Sequence, residues 1–246
     1  MIGLERKVSE LAGENGKLFL VAYDHPQMYG VMNGLVDPIK EIYKTAKSPI
    51  DGFILNPGII QRIDSKKVKG KKIIMRSSLG GTMIGSEFSD FHETMCSPKL
   101  AINLGVDAIL VMLVLGGAHD KESMLGLAKT VEQFHEYSIP VIVEPLAADF
   151  KKNNDSDFVR NGARIAAELG ADFVKSFYCD DFISVIEGCP VPVLLAGGPK
   201  DKDIAEITKL AITSGAFGLA LGRNIFQSKD PLATILRINE TLGRKN

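Results

Sequence analysis

The chain has 246 residues, with 29 Lys and Arg against 30 Asp and Glu, for a formal net charge of −1. At 45% hydrophobic and 24% charged its composition is that of an ordinary globular protein, which excludes both a disordered chain and a disulfide scaffold. The balanced charge leaves no electrostatic footprint for nucleic acid. The one basic run, Ser65–Lys72 (SKKVKGKK), carries no interleaved aromatic ring for base stacking and reads as a solvated turn before a strand.

Three cysteines, Cys96, Cys179 and Cys189, cannot all pair with one another, and their spacing fits neither a zinc ribbon nor a redox pair. The first residues, MIGLERKVSELAGENGK, are charged and amphipathic rather than a secretory signal, and no apolar run reaches the length of a membrane span. The expectation is a soluble cytoplasmic protein with no membrane partner.

In chain order, short runs rich in Val, Ile, Leu and Phe alternate with helical segments. They are Leu18–Asp24, Gly52–Asn56, Lys72–Ser78 and Ala108–Gly116, then Val141–Leu146, Phe173–Phe177, Val193–Gly198 and Gly218–Arg223. Continuous apolar strands between helices imply strands buried on both faces, hence a parallel sheet covered by helices. Helices are predicted to start at Asp120, Asp155 and Asp201, each placing a carboxylate at the positive end of the helix dipole. Gly105, Gly170 and Gly215 stand where left-handed caps would end helices before the fourth, sixth and eighth strands. LGVDAILV, LGADFVKS and SGAFGLAL are variants of one phrase: helix stop, turn, strand. Eight such units without a linker or composition break predict an α/β protein, a single (β/α)8 TIM barrel over residues 1–246, with residues 2–12 as a short extra N-terminal helix beneath it. An open doubly wound sheet is the alternative.

Chemistry in such a barrel sits at the carboxyl ends of the strands. The first strand ends in Tyr23-Asp24-His25, and the sixth carries Lys175 on the same face as Phe173 and Phe177. If that face is the barrel interior, desolvation favours the neutral amine, which can attack a carbonyl and form a Schiff base. If it faces outward, the lysine snorkels between helices. An inward Asp24 needs a partner, an inward Lys175 provides one, and the carboxylate could move protons around an imine. The seventh and eighth strands end in Ala196-Gly197-Gly198-Pro199-Lys200 and Leu221-Gly222-Arg223-Asn224. Glycines there let backbone N–H groups approach an anion, and Arg223 adds a planar fork for phosphate oxygens; plain tight turns are the alternative. The stretch from His92 to Cys96 lacks the spacing of a zinc protease helix, so no metal site is expected. Gly80-Gly81-Thr82 could line the mouth, and His119 reads either as a mouth residue or as an ordinary helix N-terminal position.

The stretches VAYDHPQMYG, LGADFVKSFY, LLAGGPK and GLALGRNIFQ run in order from residue 21 to 227. Together they resemble the class I (Schiff-base) aldolase family that contains archaeal-type fructose-bisphosphate aldolase and aminodideoxyheptulosonate synthase. The resemblance implies a (β/α)8 barrel, a homo-oligomer, and chemistry without metal or cofactor. It implies Lys175 as the Schiff-base lysine, Asp24 as the acid/base carboxylate, and Gly197, Gly198, Gly222 and Arg223 as the holders of a substrate phosphate. His25, His119 and Ala196 are expected to line the site.

The sequence departs from that family in one place that matters. The fifth strand, VIVEPLAAD, places Leu146 where the aldolases have a proton-transferring tyrosine, and leucine transfers no proton. Ala196 also stands where relatives can have a serine hydroxyl. Glu144, on the same strand face as Leu146, or His119 is the candidate substitute; either could instead orient substrate or structure. The expected function is an aldolase-type enzyme making or breaking a C–C bond in a small phosphorylated ketose or related carbonyl compound. The alternatives are thiolase-like acyl transfer on a phosphorylated dione and a non-catalytic sugar-phosphate-binding barrel.

Overall fold

A computed structural model describes residues 2–84, 91–198 and 202–244. Eight parallel strands, each at its expected place, close into a barrel: β1 (Leu18–Ala22), β2 (Gly52–Leu55), β3 (Lys72–Arg76), β4 (Ala108–Leu115), β5 (Val141–Ala147), β6 (Phe173–Ser176), β7 (Val193–Leu195) and β8 (Gly218–Leu221). The ladder runs in sequence order and closes where Leu18 pairs with Gly218, so the open-sheet alternative does not hold. Two short strands, Ser78–Leu79 and Glu93–Thr94, form a separate antiparallel ladder after β3. Among the described residues no helix is long and apolar enough to cross a membrane.

Alternation along each strand separates two cores. Outward residues such as Phe19, Phe53, Val143 and Val174 pack with the helices; inward ones such as Leu20, Ile74, Leu110, Ile142, Phe173 and Leu194 fill the barrel. The helix Ile2–Glu10 lies where residues 2–12 were expected to form one, and the following Leu11 packs onto the interior group.

Helix punctuation follows the aspartates with one shift. Asp155 accepts from Phe158 N at 2.9 Å and caps the helix Ser156–Glu168. The helix expected from Asp201 begins at Ile204, and its cap is Asp203, which accepts from Ala205 N at 2.8 Å; Asp201 itself lies outside the described residues. Asp120 caps no helical N–H; its Oδ1 accepts from Gly116 N at 2.6 Å and so holds the loop after β4. Gly105, Gly170 and Gly215 have φ of 63°, 95° and 106°, the left-handed conformation their position requires.

At the opposite end of the barrel the residue before a strand fastens the strand before it. Asp51 donates its N–H to Phe19 O and accepts from Phe19 N through Oδ2 at 2.6 Å. Asp107 does the same to Ile73, and Asp172 to Val141, each with a carboxylate contact of 2.7 Å.

Candidate active site

Two residues beyond the apolar interior positions, on the same faces, three of the strands turn charged and a fourth carries a methionine. Ile74 is followed by Arg76, Leu110 by Met112, Ile142 by Glu144 and Phe173 by Lys175. On β7 and β8 the matching positions are Ala196 and Gly222, which leave space. Charged groups are therefore held in one layer at the carboxyl end of the barrel, above a dry floor.

Lys175 is buried, with Nζ 2.9 Å from Glu144 Oε1, and the side chains are 5% and 4% exposed. The inward orientation holds, but the amine does not stand among apolar neighbours alone: a carboxylate faces it. Glu144 Oε2 is buried and has no hydrogen-bond partner among the described residues. Asp24 is also buried, yet its direct partner is not Lys175. Its Oδ2 accepts from Arg76 Nη1 at 2.8 Å, and its Oδ1 lies 3.4 Å from His25 Nδ1. Burial pushes the Asp24 carboxyl up; the His25 ring, the Arg76 guanidinium and the Lys175 ammonium outweigh it and hold it well below the usual carboxylate range.

A cavity of about 310 Å³ opens above this layer. Lys175, Glu144 and His25 line one part of it, and Ala196, Gly197, Gly198, Gly222 and Arg223 another. Gly197 has φ of 126°, and a Cβ there would lie 2.6 Å from Asn224 Oδ1, so only glycine keeps this wall. A Cβ on Gly222 would come within 2.4 Å of His25 Cε1. The His25 ring is held edge-on to Phe226 at 5.2 Å. Asp24 and Arg76 sit deeper, facing a second cavity of about 30 Å³ that Glu144 and Lys175 share.

Two expected site positions stand apart. His119 is exposed before the helix Asp120–His135, with its ring 6.2 Å from that of Phe91, and lines neither cavity; the loop set by Asp120 carries it away. Leu146 is buried and lines neither cavity. Pro199 and Lys200 lie outside the described residues. His92 is buried beneath Gly80, and burial, with the Arg76 guanidinium close by, pushes its imidazole down to about 3.

Sequence reasoning missed Arg76, though a charge inside KIIMRSS is the same signal that exposed Lys175. It also missed Gln227 and Ser228, which line the larger cavity one helical turn beyond Arg223 and Asn224.

A barrel that buries a lysine against a carboxylate at the carboxyl ends of its strands is the frame of a class I aldolase-type enzyme, and known proteins bear this out. Residues 18–228 match the DeoC/LacD family of aldolases, and the chain belongs to that family. It is similar to the 3-hydroxy-5-phosphonooxypentane-2,4-dione thiolase of Photorhabdus laumondii, 29% identical over 95% of this chain and 80% of that one. It is also similar to the 2-amino-4,5-dihydroxy-6-oxo-7-(phosphonooxy)heptanoate synthase of Streptomyces griseus, 26% identical over 92% and 85%. Among solved structures it superimposes with a TM-score of 0.85 on an archaeal fructose-1,6-bisphosphate aldolase whose catalytic lysine is covalently bound to the carbinolamine intermediate. The identity there is 26%, covering 97% of this chain and 98% of the other.

Proposed function

We propose that this aldolase acts through a Schiff base at Lys175 on a small phosphorylated ketose or related carbonyl compound, with Glu144 carrying the protons. The observation that carries the reading is the buried Lys175–Glu144 contact of 2.9 Å in the wall of a cavity whose other wall holds Gly197, Gly198, Gly222 and Arg223. Glu144 takes one proton from the ammonium, and the neutral amine adds to the carbonyl carbon to give a carbinolamine. Glu144 then returns that proton to the carbinolamine hydroxyl, which leaves as water as the iminium forms. Once ionised again, Glu144 can accept the proton of a β-hydroxyl while the C–C bond electrons pass to the iminium as an enamine. Asp24 shares the smaller cavity with Lys175.

The phosphate end rests on backbone N–H groups that the glycines leave open and on the exposed Arg223 fork. The phosphorylated compounds in the names of the thiolase and the synthase support that choice of substrate.

The test is borohydride reduction in the presence of a panel of phosphorylated ketoses and diones, followed by intact mass and peptide mapping. One adduct, on Lys175, is expected, and Lys175→Arg should abolish it while leaving the fold intact, because a guanidinium stays protonated. Labelling at another residue, or none across the panel, overturns the assignment.

A second reading, acyl transfer from a phosphorylated dione to a thiol, has two supports: Leu146 lacks the proton-transferring hydroxyl, and the Photorhabdus relative is named a thiolase. It predicts product formation only when a thiol acceptor is added.

A further inference from the structure

Arg76 is fully buried and is the largest such side chain among the described residues. All three of its guanidinium nitrogens are engaged: Nη1 with Asp24 Oδ2 at 2.8 Å, Nε with Ser78 O at 3.0 Å, and Nη2 with Met112 Sδ at 2.9 Å. A thioether is a weak acceptor, so among the described residues the one carboxylate this buried cation touches is Asp24. Asp24 is fixed from its other side as well, because its main-chain oxygen accepts from Asn56 Nδ2 at 2.8 Å. A carboxyl buried this deeply would ordinarily take up a proton rather than remain charged.

The two carboxylates of the site are therefore unequal. Asp24 has a permanent cation locked onto it. Among the described residues Glu144 is ion-paired with Lys175, whose own charge changes when it becomes an imine, and keeps one oxygen without a partner. We propose that Arg76 is a positioning residue that holds Asp24 as a fixed anion beside the imine nitrogen, so that proton traffic in the Schiff-base cycle falls to Glu144 alone. This rests on the assignment of Lys175 as the imine lysine. Its content is separate: a division of labour between the carboxylates, imposed by a residue on a third strand. The groups that face Asp24 are His25 on its own segment, Arg76 from β3, Glu144 from β5 and Lys175 from β6, with His92 beside the guanidinium.

Two readouts test it, only one of which needs an imine. The first is the carboxyl carbon signal of Asp24 in protein labelled at aspartate, identified by its loss in Asp24→Asn and followed from pH 8 to pH 4. In the natural protein it should not move. In Arg76→Met, which keeps the bulk and removes the charge, a titration step should appear within that range, and Arg76→Lys should suppress it. The second readout is the rate of borohydride trapping with dihydroxyacetone phosphate and fructose 1,6-bisphosphate. The ratio of Arg76→Met to natural protein should fall about tenfold or more between pH 8 and pH 5, as one added protonation demands. An Asp24 that titrates above pH 4 in the natural protein overturns the proposal, and this arm stands even if Arg76→Met does not fold. An Arg76→Met protein with an unchanged Asp24 signal and an unchanged ratio overturns it too. If Asp24 behaves as expected but nothing traps in the natural protein, the imine assignment fails and the anchoring of Asp24 stands.

Discussion

Removing Glu144 or Lys175 singly should cost more stability than removing both. Each group is at least 95% buried and the charged atoms are 2.9 Å apart, which at an effective dielectric of about 20 gives a mutual attraction of roughly 6 kcal/mol. That attraction offsets the cost of taking both charges out of water, and it vanishes when either partner is replaced. Glu144→Gln and Lys175→Met should each lose about 3–5 kcal/mol, the range for an orphaned buried charge. The double variant presents an amide and a thioether of similar bulk and should lie within about 2 kcal/mol of the natural protein, since a buried pair replaced as a unit is often neutral. Urea unfolding of all four proteins at pH 7, read by far-UV circular dichroism, closes the cycle. Additive single losses, or singles that cost less than about 1 kcal/mol, would show that the two groups do not depend on each other.

Arg223→Ala should weaken phosphorylated ligands by about 1.5 kcal/mol, the low end for a hydrogen bond to a charged group because the side chain is exposed, and should leave an unphosphorylated analogue unaffected. Equal losses for both ligands in calorimetric titrations would remove Arg223 from the phosphate site. Leu146→Tyr should raise fructose 1,6-bisphosphate cleavage at least about tenfold if a general acid/base is what the fifth strand lacks, well inside the ~10²–10⁴-fold such groups supply. Unchanged cleavage with intact trapping at Lys175 would refute this. His92 is held neutral down to about 3, whereas in the unfolded chain it titrates near 6.5. Between those values the unfolded state binds one proton more, so stability falls as pH drops, by about 1.4 kcal/mol per unit. Between pH 7 and pH 5 the natural protein should lose about 2 kcal/mol more than His92→Gln in urea titrations, and an equal loss would refute it.

The barrel was legible because strands buried on both faces leave continuous apolar runs, and a charge within such a run is conspicuous. Lys175 was found in that way, and Glu144 through its spacing from Leu146. The partners were not legible. Asp24 was matched to Lys175 because each needed a counter-charge, yet it is bound by Arg76 from β3. Which strand delivers the counter-charge depends on how far each strand is staggered around the closed sheet, and no local pattern encodes that stagger. Of the two readings of His119 the structure shows the ordinary one, the position before the helix Asp120–His135, in a loop where Asp120 bonds back to Gly116 and Gly117.

The aspartates that fasten strand starts do so in doublets, β1 with β2, β3 with β4, and β5 with β6. In the remaining doublet the corresponding position is Phe217, whose amide reaches Val193 O at 2.8 Å but which has no carboxylate to return the bond. That doublet, β7 with β8, is the one whose far ends carry Gly197, Gly198, Gly222 and Arg223. Three quarters of the ring are thus doubly stitched at the base, and the quarter that would grip an anion is stitched once. The loops that carry Gly197, Gly198, Gly222 and Arg223 therefore stand on the doublet with the fewest stitches at its base, while Lys175 and Glu144 are carried by a doublet that Asp172 stitches twice.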